Sequence, residues 1–394
     1  MAVSAETWLL PDGVQDVLPR EAARLEALRR RLLDQFAAWG YQLVFPPLME
    51  FLDSLLTGSG HDLDLMTFKI TDQISGRLMG VRADITPQVA RLDAHCLPTH
   101  HTARYCYAGT VLNTRSASLA ASRAPIQIGA ELFGYGGVAA DIEIIRLMLA
   151  TLETAGVHDI HLDIGHVGIF RALAREAGLT SEDEAALFDI YQRKSLPELQ
   201  DLHARLPRGE WFLALGDLSG GAEQLDRACH ALSGAPEAVA AALSDVRAVI
   251  HTIREIHPGV RLSVDLCELR GYNYHTGLVF AAYAPDQAVE IAKGGRYDHV
   301  GESFGRSRPA TGFSADLKAL LGHDRHAAPG QVRVLAPVSD DAGLQVEVAR
   351  LRAAGHVVIQ SLPGEAAQPE VRGCNRCLVL RDGGWVIEDI LSGG

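Results

Sequence analysis

The residues with the most chemical content fall in a few short runs: Asp84 and Thr86, Gln127 and Glu131, Arg270, and Tyr297. Their types suit a free amino acid. An ammonium group calls for a carboxylate, a carboxylate for a cation or dipole, and an imidazole for one acceptor and one donor in fixed orientation. Asp84 and Glu131 supply carboxylates, Thr86, Gln127 and Tyr297 neutral hydrogen-bonding groups, and Arg270 the cation. Singly, each position also has a plainer explanation, with Arg270 and Asp298 as surface or ion-pair residues and Gly294-Gly295 as a turn. Only their joint occurrence points to a site.

Those runs need a framework. Leu25, Leu28, Leu32 and Phe36 recur at helical spacing, and Gly40 ends that helix. A strand is expected at Gln42–Phe45, stopped by Pro46 and Pro47, then a hairpin of 67–70 and 78–82 around Ser75-Gly76. Thr86-Pro87 reads as a helix start with Thr86 as N-cap. Strands are expected at 103–112 and 126–133, a helix at 140–154 and a strand at 160–164. Further strands are expected at 261–266, 278–283 and 289–293, and Gly312-Phe313 leads into a last helix at 315–321.

The pattern is hairpin-rich with few crossover helices, so the fold class is α+β: a mixed, mainly antiparallel sheet flanked by helices. The expected domains are a core over residues 1–322, interrupted by a helical insertion at about 166–260, and a small C-terminal α/β domain over 331–394. In the latter, strands are expected at 332–337, 356–360 and 377–380, with a helix at 343–354.

Composition narrows the function. With 394 residues the chain exceeds what one core usually serves. A net charge of -13, from 49 acidic and 36 basic residues, disfavours a nucleic-acid partner. No apolar run has membrane-spanning length and Met1–Trp8 has no signal-peptide pattern, so a cytoplasmic location is expected, with no membrane partner. Six cysteines are few. Cys374 and Cys377 form a lone CxxC without a second ligand pair, and His95, Cys96, His100 and His101 read as polar residues around a turn at Pro98. No metal and no cofactor are expected.

Five segments in order resemble histidyl-tRNA synthetase, a class II aminoacyl-tRNA synthetase: Leu10–Pro19, Val81–Thr86, Gln127–Gly134, Glu268–Gly277 and Gly294–Asp298. The resemblance implies the class II fold and a histidine site, and adds Tyr274 and His275 to Asp84, Thr86, Gln127, Glu131, Arg270 and Tyr297.

The departures carry equal weight. Activating an amino acid with ATP gathers negative charge that preorganised cations must stabilise. Where the family places a phosphate-binding arginine, this chain has Asn113. Where an acidic residue contacts adenine it has Arg115, and Ala319 replaces the arginine of the third motif. Arg123 aligns ambiguously and could partly compensate. The tail is too short for the family's full anticodon-binding domain.

This combination resembles the regulatory-subunit family of ATP phosphoribosyltransferase. That resemblance implies a non-catalytic chain that partners the short-form catalytic subunit, as a regulatory dimer within a hetero-octamer, with L-histidine as effector. A divergent active histidyl-tRNA synthetase and an amino-acid sensor for another partner, such as a kinase, are the alternatives.

Overall fold

The computed structural model describes residues 9–56, 61–116, 122–269, 271–272, 274–285, 287, 289–325, 332–365 and 373–390. The chain divides into two compact units, Met1–Arg325 and His326–Gly394.

The strands are β1 (Gln42–Leu43), β2 (Met49–Phe51), β3 (Phe68–Thr71), β4 (Leu78–Val81), β5 (Ala103–Thr110), β6 (Ile126–Phe133), β7 (His161–His166), β8 (Ser219–Gly221), β9 (Arg261–Asp265), β10 (Leu278–Tyr283), β11 (Ala292–Arg296), β12 (Ala310–Asp316), β13 (Arg333–Ala336), β14 (Val357–Gln360), β15 (Arg376–Arg381) and β16 (Gly384–Asp389). The first unit is built on a nine-stranded sheet of order β1-β5-β6-β12-β11-β10-β7-β9-β8. Only β1–β5 and β7–β9 pair in parallel; the other neighbours are antiparallel. The expected α+β class, with its mixed and mainly antiparallel sheet, is what forms. A separate three-stranded sheet, β2-β4-β3, contains the expected hairpin.

Alternation in β6 explains how one face packs and the other binds. Ile128, Ala130 and Leu132 enter the large core, while Gln127, Gly129 and Glu131 face the opposite side. The helix Pro19–Ala38 covers the core face with Leu28, Leu32 and Phe36, all fully buried, and the Phe36 ring meets Phe313 of β12 edge-on at 6.1 Å. Val138–Thr154 lies on the same core through Ile144, Ile145, Met148 and Leu152.

The insertion is largely helical, with helices Val167–Ala177, Ser181–Arg193, Leu196–His203, Gly209–Gly216, Gln224–Ala231 and Glu237–Ile256. It also supplies β8, which pairs with β9 at the edge of the sheet.

Several expectations need correction. Residues 310–316 form a central strand, β12, and the last helix is only Leu317–Leu321. The Ala, Gly and Asp residues of β12 have weak strand propensity, yet pairing on both edges holds it. The strand expected at 289–293 lies at Ala292–Arg296, so Gly294 and Gly295 are strand residues rather than a turn. A Cβ on Gly294 would sit 2.1 Å from the Gly312 carbonyl, which only glycine avoids. Thr86 is the first helical residue of Thr86–Arg91, not its N-cap, and its hydroxyl is used elsewhere.

In the second unit, β13 runs parallel to β14 and β15, and β15 pairs antiparallel with β16. The helix Ala342–Ala353 packs Leu344, Val348 and Leu351 on Val334, Ala336 and Leu378.

Candidate functional site

Two rows of residues cross one face of the large sheet. Glu131, Gly312, Gly295, Val279 and Gly165 stand side by side on β6, β12, β11, β10 and β7, and Gly129, Ser314, Lys293, Ala281 and Asp163 form the next row. Glycine at so many places leaves a hollow. A Cβ on Gly312 would lie 1.6 Å from Glu131 Oε2, so the carboxyl occupies space that any larger residue would fill. The hollow is a cavity of about 250 Å³, roofed by Asp84 and Thr86 on one side and by Glu268, Gly271, Tyr274 and His275 on the other.

Glu131 is its chemical centre. Its side chain is buried and accepts from Thr86 Oγ1 at 2.9 Å, from Tyr107 Oη at 3.0 Å and, in a very short contact, from the Tyr297 hydroxyl. Burial outweighs these three donors and pushes the carboxyl up to about 8. The same burial raises the Tyr107, Tyr274 and Tyr297 phenols well above their ordinary range, so all three remain hydroxyl groups at neutral pH. Asp84 accepts from Gln127 Nε2 at 2.7 Å and from the Thr86 amide at 3.0 Å, while Gln127 Oε1 accepts from the Ile85 amide at 2.9 Å. Gln127 is thereby the orienting group for Asp84.

Tyr274 stacks on Tyr297 with ring centroids 5.0 Å apart. Among the described residues its buried hydroxyl has no hydrogen-bond partner, which is costly unless a ligand supplies one. His275 Nδ1 lies 3.3 Å from the Arg296 carbonyl, and burial depresses its imidazole to about 4, leaving the ring neutral. Asp84, Thr86, Glu131, Tyr274, His275 and Tyr297 thus converge on one cavity, with Gln127 immediately behind. Arg270 falls outside the described residues.

Asp163, Glu268, Lys293 and Ser314 also line the cavity but were absent from the sequence-derived set. Glu268 and Gly294 did lie within the motif segments. Asp163, Lys293 and Ser314 would have emerged only from the register that brings β7, β11 and β12 together.

Arg296 and Asp298, within the last motif, serve the framework. Arg296 donates to Asp141 at 2.6 Å and to Asp298 at 3.2 Å, and Asp298 also accepts from the Ala310 amide. The positions where the nucleotide-binding cations were missed are accounted for differently. The Asn113 amide donates to Arg123 O, and Arg123 Nε returns a bond to Asn113 O at 3.1 Å. Arg123 also reaches the Asp12 carbonyl, so backbone oxygens occupy its guanidinium. Arg115 and Ala319 are exposed.

His95 packs edge-on against Phe304, and Cys96 is exposed. Among the described residues, Asp163, Asp265 and Glu268 place carboxylate oxygens within 4.8 Å of one another; Lys194 pairs with Asp265 at 2.9 Å and Ser263 donates to Asp163. No helix among the described residues is long and apolar enough to cross a membrane.

Against known proteins, residues 13–320 match the family model described as Histidyl-tRNA synthetase, and residues 331–388 that of the ATP phosphoribosyltransferase subunit HisZ C-terminal domain. The chain is 53% identical to an ATP phosphoribosyltransferase regulatory subunit from Thioalkalivibrio sulfidiphilus, covering 97% of this chain and 98% of that one. A protein of the same description from Ectopseudomonas mendocina is 52% identical, covering 99% and 100%. Among solved structures, an ATP phosphoribosyltransferase regulatory subunit/histidyl-tRNA synthetase from Bacillus halodurans superposes with a TM-score of 0.81 at 25% identity, over 93% of this chain and 96% of that one. A histidyl-tRNA synthetase from Nostoc sp. gives 0.76 at 17% identity, over 98% and 96%, a likeness of fold.

Proposed function

Because the chain belongs to the family of ATP phosphoribosyltransferase regulatory subunits, built on the histidyl-tRNA synthetase fold, we propose that it works in histidine biosynthesis without catalysis of its own. It acts bound to the short-form catalytic subunit, which joins ATP to phosphoribosyl pyrophosphate, and it reports histidine to that partner. A regulatory dimer forms the centre of a hetero-octamer, and nucleic acid has no part in it.

The observation that carries this reading is an asymmetry. Glu131, with three hydroxyl donors, lies beside the Tyr274 hydroxyl, unpartnered among the described residues, in a cavity of amino-acid size. Asn113 and Ala319 stand where phosphate would need cations. L-histidine fits the acidic, hydroxyl-rich lining: its ammonium and imidazole groups offer donors to Asp84 and Glu131, and its imidazole an acceptor for Tyr274 or Tyr297. If histidine favours one state of the complex over the other, its binding shifts the population toward the less active state.

Mixing the purified chain with the short catalytic subunit tests this. Phosphoribosyl transfer should require both chains and fall when histidine is added, and the chain alone should show no histidine-dependent exchange of pyrophosphate into ATP. Exchange by the chain alone, or transfer indifferent to its presence, refutes the proposal.

A further inference from the structure

The cavity's far wall is a single turn whose two sides face different parts of the molecule. Tyr274 and His275 look into the cavity, and their backbone amides both donate to the Gly271 carbonyl at 2.7 Å. Tyr272, between them and Gly271, points the other way, into the helical insertion. Its ring meets Phe170 at 5.4 Å and Phe188 at 5.7 Å, and its hydroxyl donates to Glu184 in a very short contact. The Arg171 guanidinium lies 4.7 Å from the centre of that ring and donates to two carbonyls of the same turn, Tyr272 O at 2.7 Å and His275 O at 3.2 Å. A second grip lies just upstream, where Lys194 Nζ donates to Asp265 Oδ2 at 2.9 Å and Asp265 Oδ1 accepts from the Cys267 amide at 3.2 Å.

Phe170 and Arg171 belong to the helix Val167–Ala177, and Glu184 and Phe188 to Ser181–Arg193, with Lys194 as its left-handed cap. The cavity-lining turn is therefore fastened to the insertion by a cation over a ring, two carbonyl bonds and a carboxylate–phenol bond. A hydrogen bond ties it to the sheet as well, from the Thr276 amide to the Arg296 carbonyl at 2.7 Å.

We propose that Arg171, Tyr272 and Glu184 form a positioning clamp through which the helical insertion sets the affinity of the cavity for its amino acid. This rests on the histidine reading above. None of the three residues need touch the ligand. They fix where Tyr274 and His275 stand, and a ligand-facing group displaced by a fraction of an ångström loses its hydrogen bond geometry. Since coupling between sites is reciprocal, histidine in the cavity would in turn hold the insertion in one arrangement.

Calorimetric titration of L-histidine into the full-length chain tests the clamp. Tyr272→Phe keeps the ring packing and removes only the hydroxyl, and Glu184→Ala removes the acceptor, so each should weaken histidine binding by roughly five- to tenfold, within the range for losing an ordinary hydrogen bond. Glu184→Gln retains an acceptor oxygen and should restore binding to within about twofold of wild type. Because the bond is shared, the double variant Tyr272→Phe/Glu184→Ala should bind about as well as the worse single one. A merely structural role would shift the unfolding midpoint of these variants without following that pattern of loss, rescue and non-additivity. If wild type binds histidine and Tyr272→Phe and Glu184→Ala bind it equally well, the clamp is overturned alone. If wild type binds none, the clamp and the histidine reading are overturned together.

Discussion

Replacing Glu131 with glutamine should make the empty chain more stable, and increasingly so as the pH rises. In the native state burial lifts this carboxyl from its ordinary 4.5 to about 8. Between those values the folded chain keeps a proton that the unfolded chain has lost, so stability falls as pH rises through the window and levels off above it. At about 1.4 kcal/mol per pH unit the accumulated cost is roughly 3 kcal/mol at pH 6.5 and roughly 5 kcal/mol above pH 8. Glutamine mimics the protonated carboxyl: its oxygen accepts from Thr86 and Tyr107, and the Tyr297 hydroxyl turns to accept from its amide. Urea unfolding of wild type and Glu131→Gln should thus coincide near pH 4.5 and diverge steadily to pH 8. All other titrating groups are common to both chains, so the difference isolates Glu131. Parallel stability curves across that range would refute the claim that an unliganded, proton-holding carboxyl sits at the centre of the cavity.

Further outcomes follow from the same geometry. A cationic ligand favours the ionised carboxyl, so histidine binding below pH 8 should expel a proton and tighten as pH approaches 8; titration calorimetry in buffers of different ionisation heat reads the release, and Glu131→Gln should lack that component. Arg296→Ala should lower stability by about 3–5 kcal/mol in urea unfolding, because it strands the buried Asp141 carboxylate that Arg296 holds at 2.6 Å. Leu28→Ala, beneath the sheet on the helix Pro19–Ala38, should cost about 2–5 kcal/mol in the same assay while leaving histidine affinity within about twofold.

Much of this framework was legible from residue order because the informative segments obey local rules. The helix carrying Leu25 to Phe36, the strands 103–110, 126–133 and 278–283, and the helix 138–154 all announce themselves by period and composition. What escaped was structure made by distant pairing. Strand β12 has little propensity of its own and exists because β6 and β11 bond both its edges. Gly294 and Gly295, taken singly, had a turn as their plainer explanation, because the need for glycine comes from the Gly312 and Leu278 carbonyls, which are remote in sequence. Strand β16 could have been found: Asp382-Gly383, both with positive φ, is the two-residue turn that closes a hairpin. The site divides the same way. Asp84, Glu131 and Tyr297 were visible through their motifs, whereas Asp163, Lys293 and Ser314 enter the cavity through sheet register, and the grip of Arg171 and Glu184 on Tyr272 depends on how the insertion folds back.

The most direct test of the central claim is a histidine titration of phosphoribosyl transfer by the assembled complex, comparing wild type with Glu131→Ala. The variant should assemble with the catalytic subunit and match its uninhibited rate, yet need at least about tenfold more histidine for half-inhibition, a difference of about 1.4 kcal/mol in binding. An unchanged inhibition curve would show that the effector acts somewhere other than this cavity.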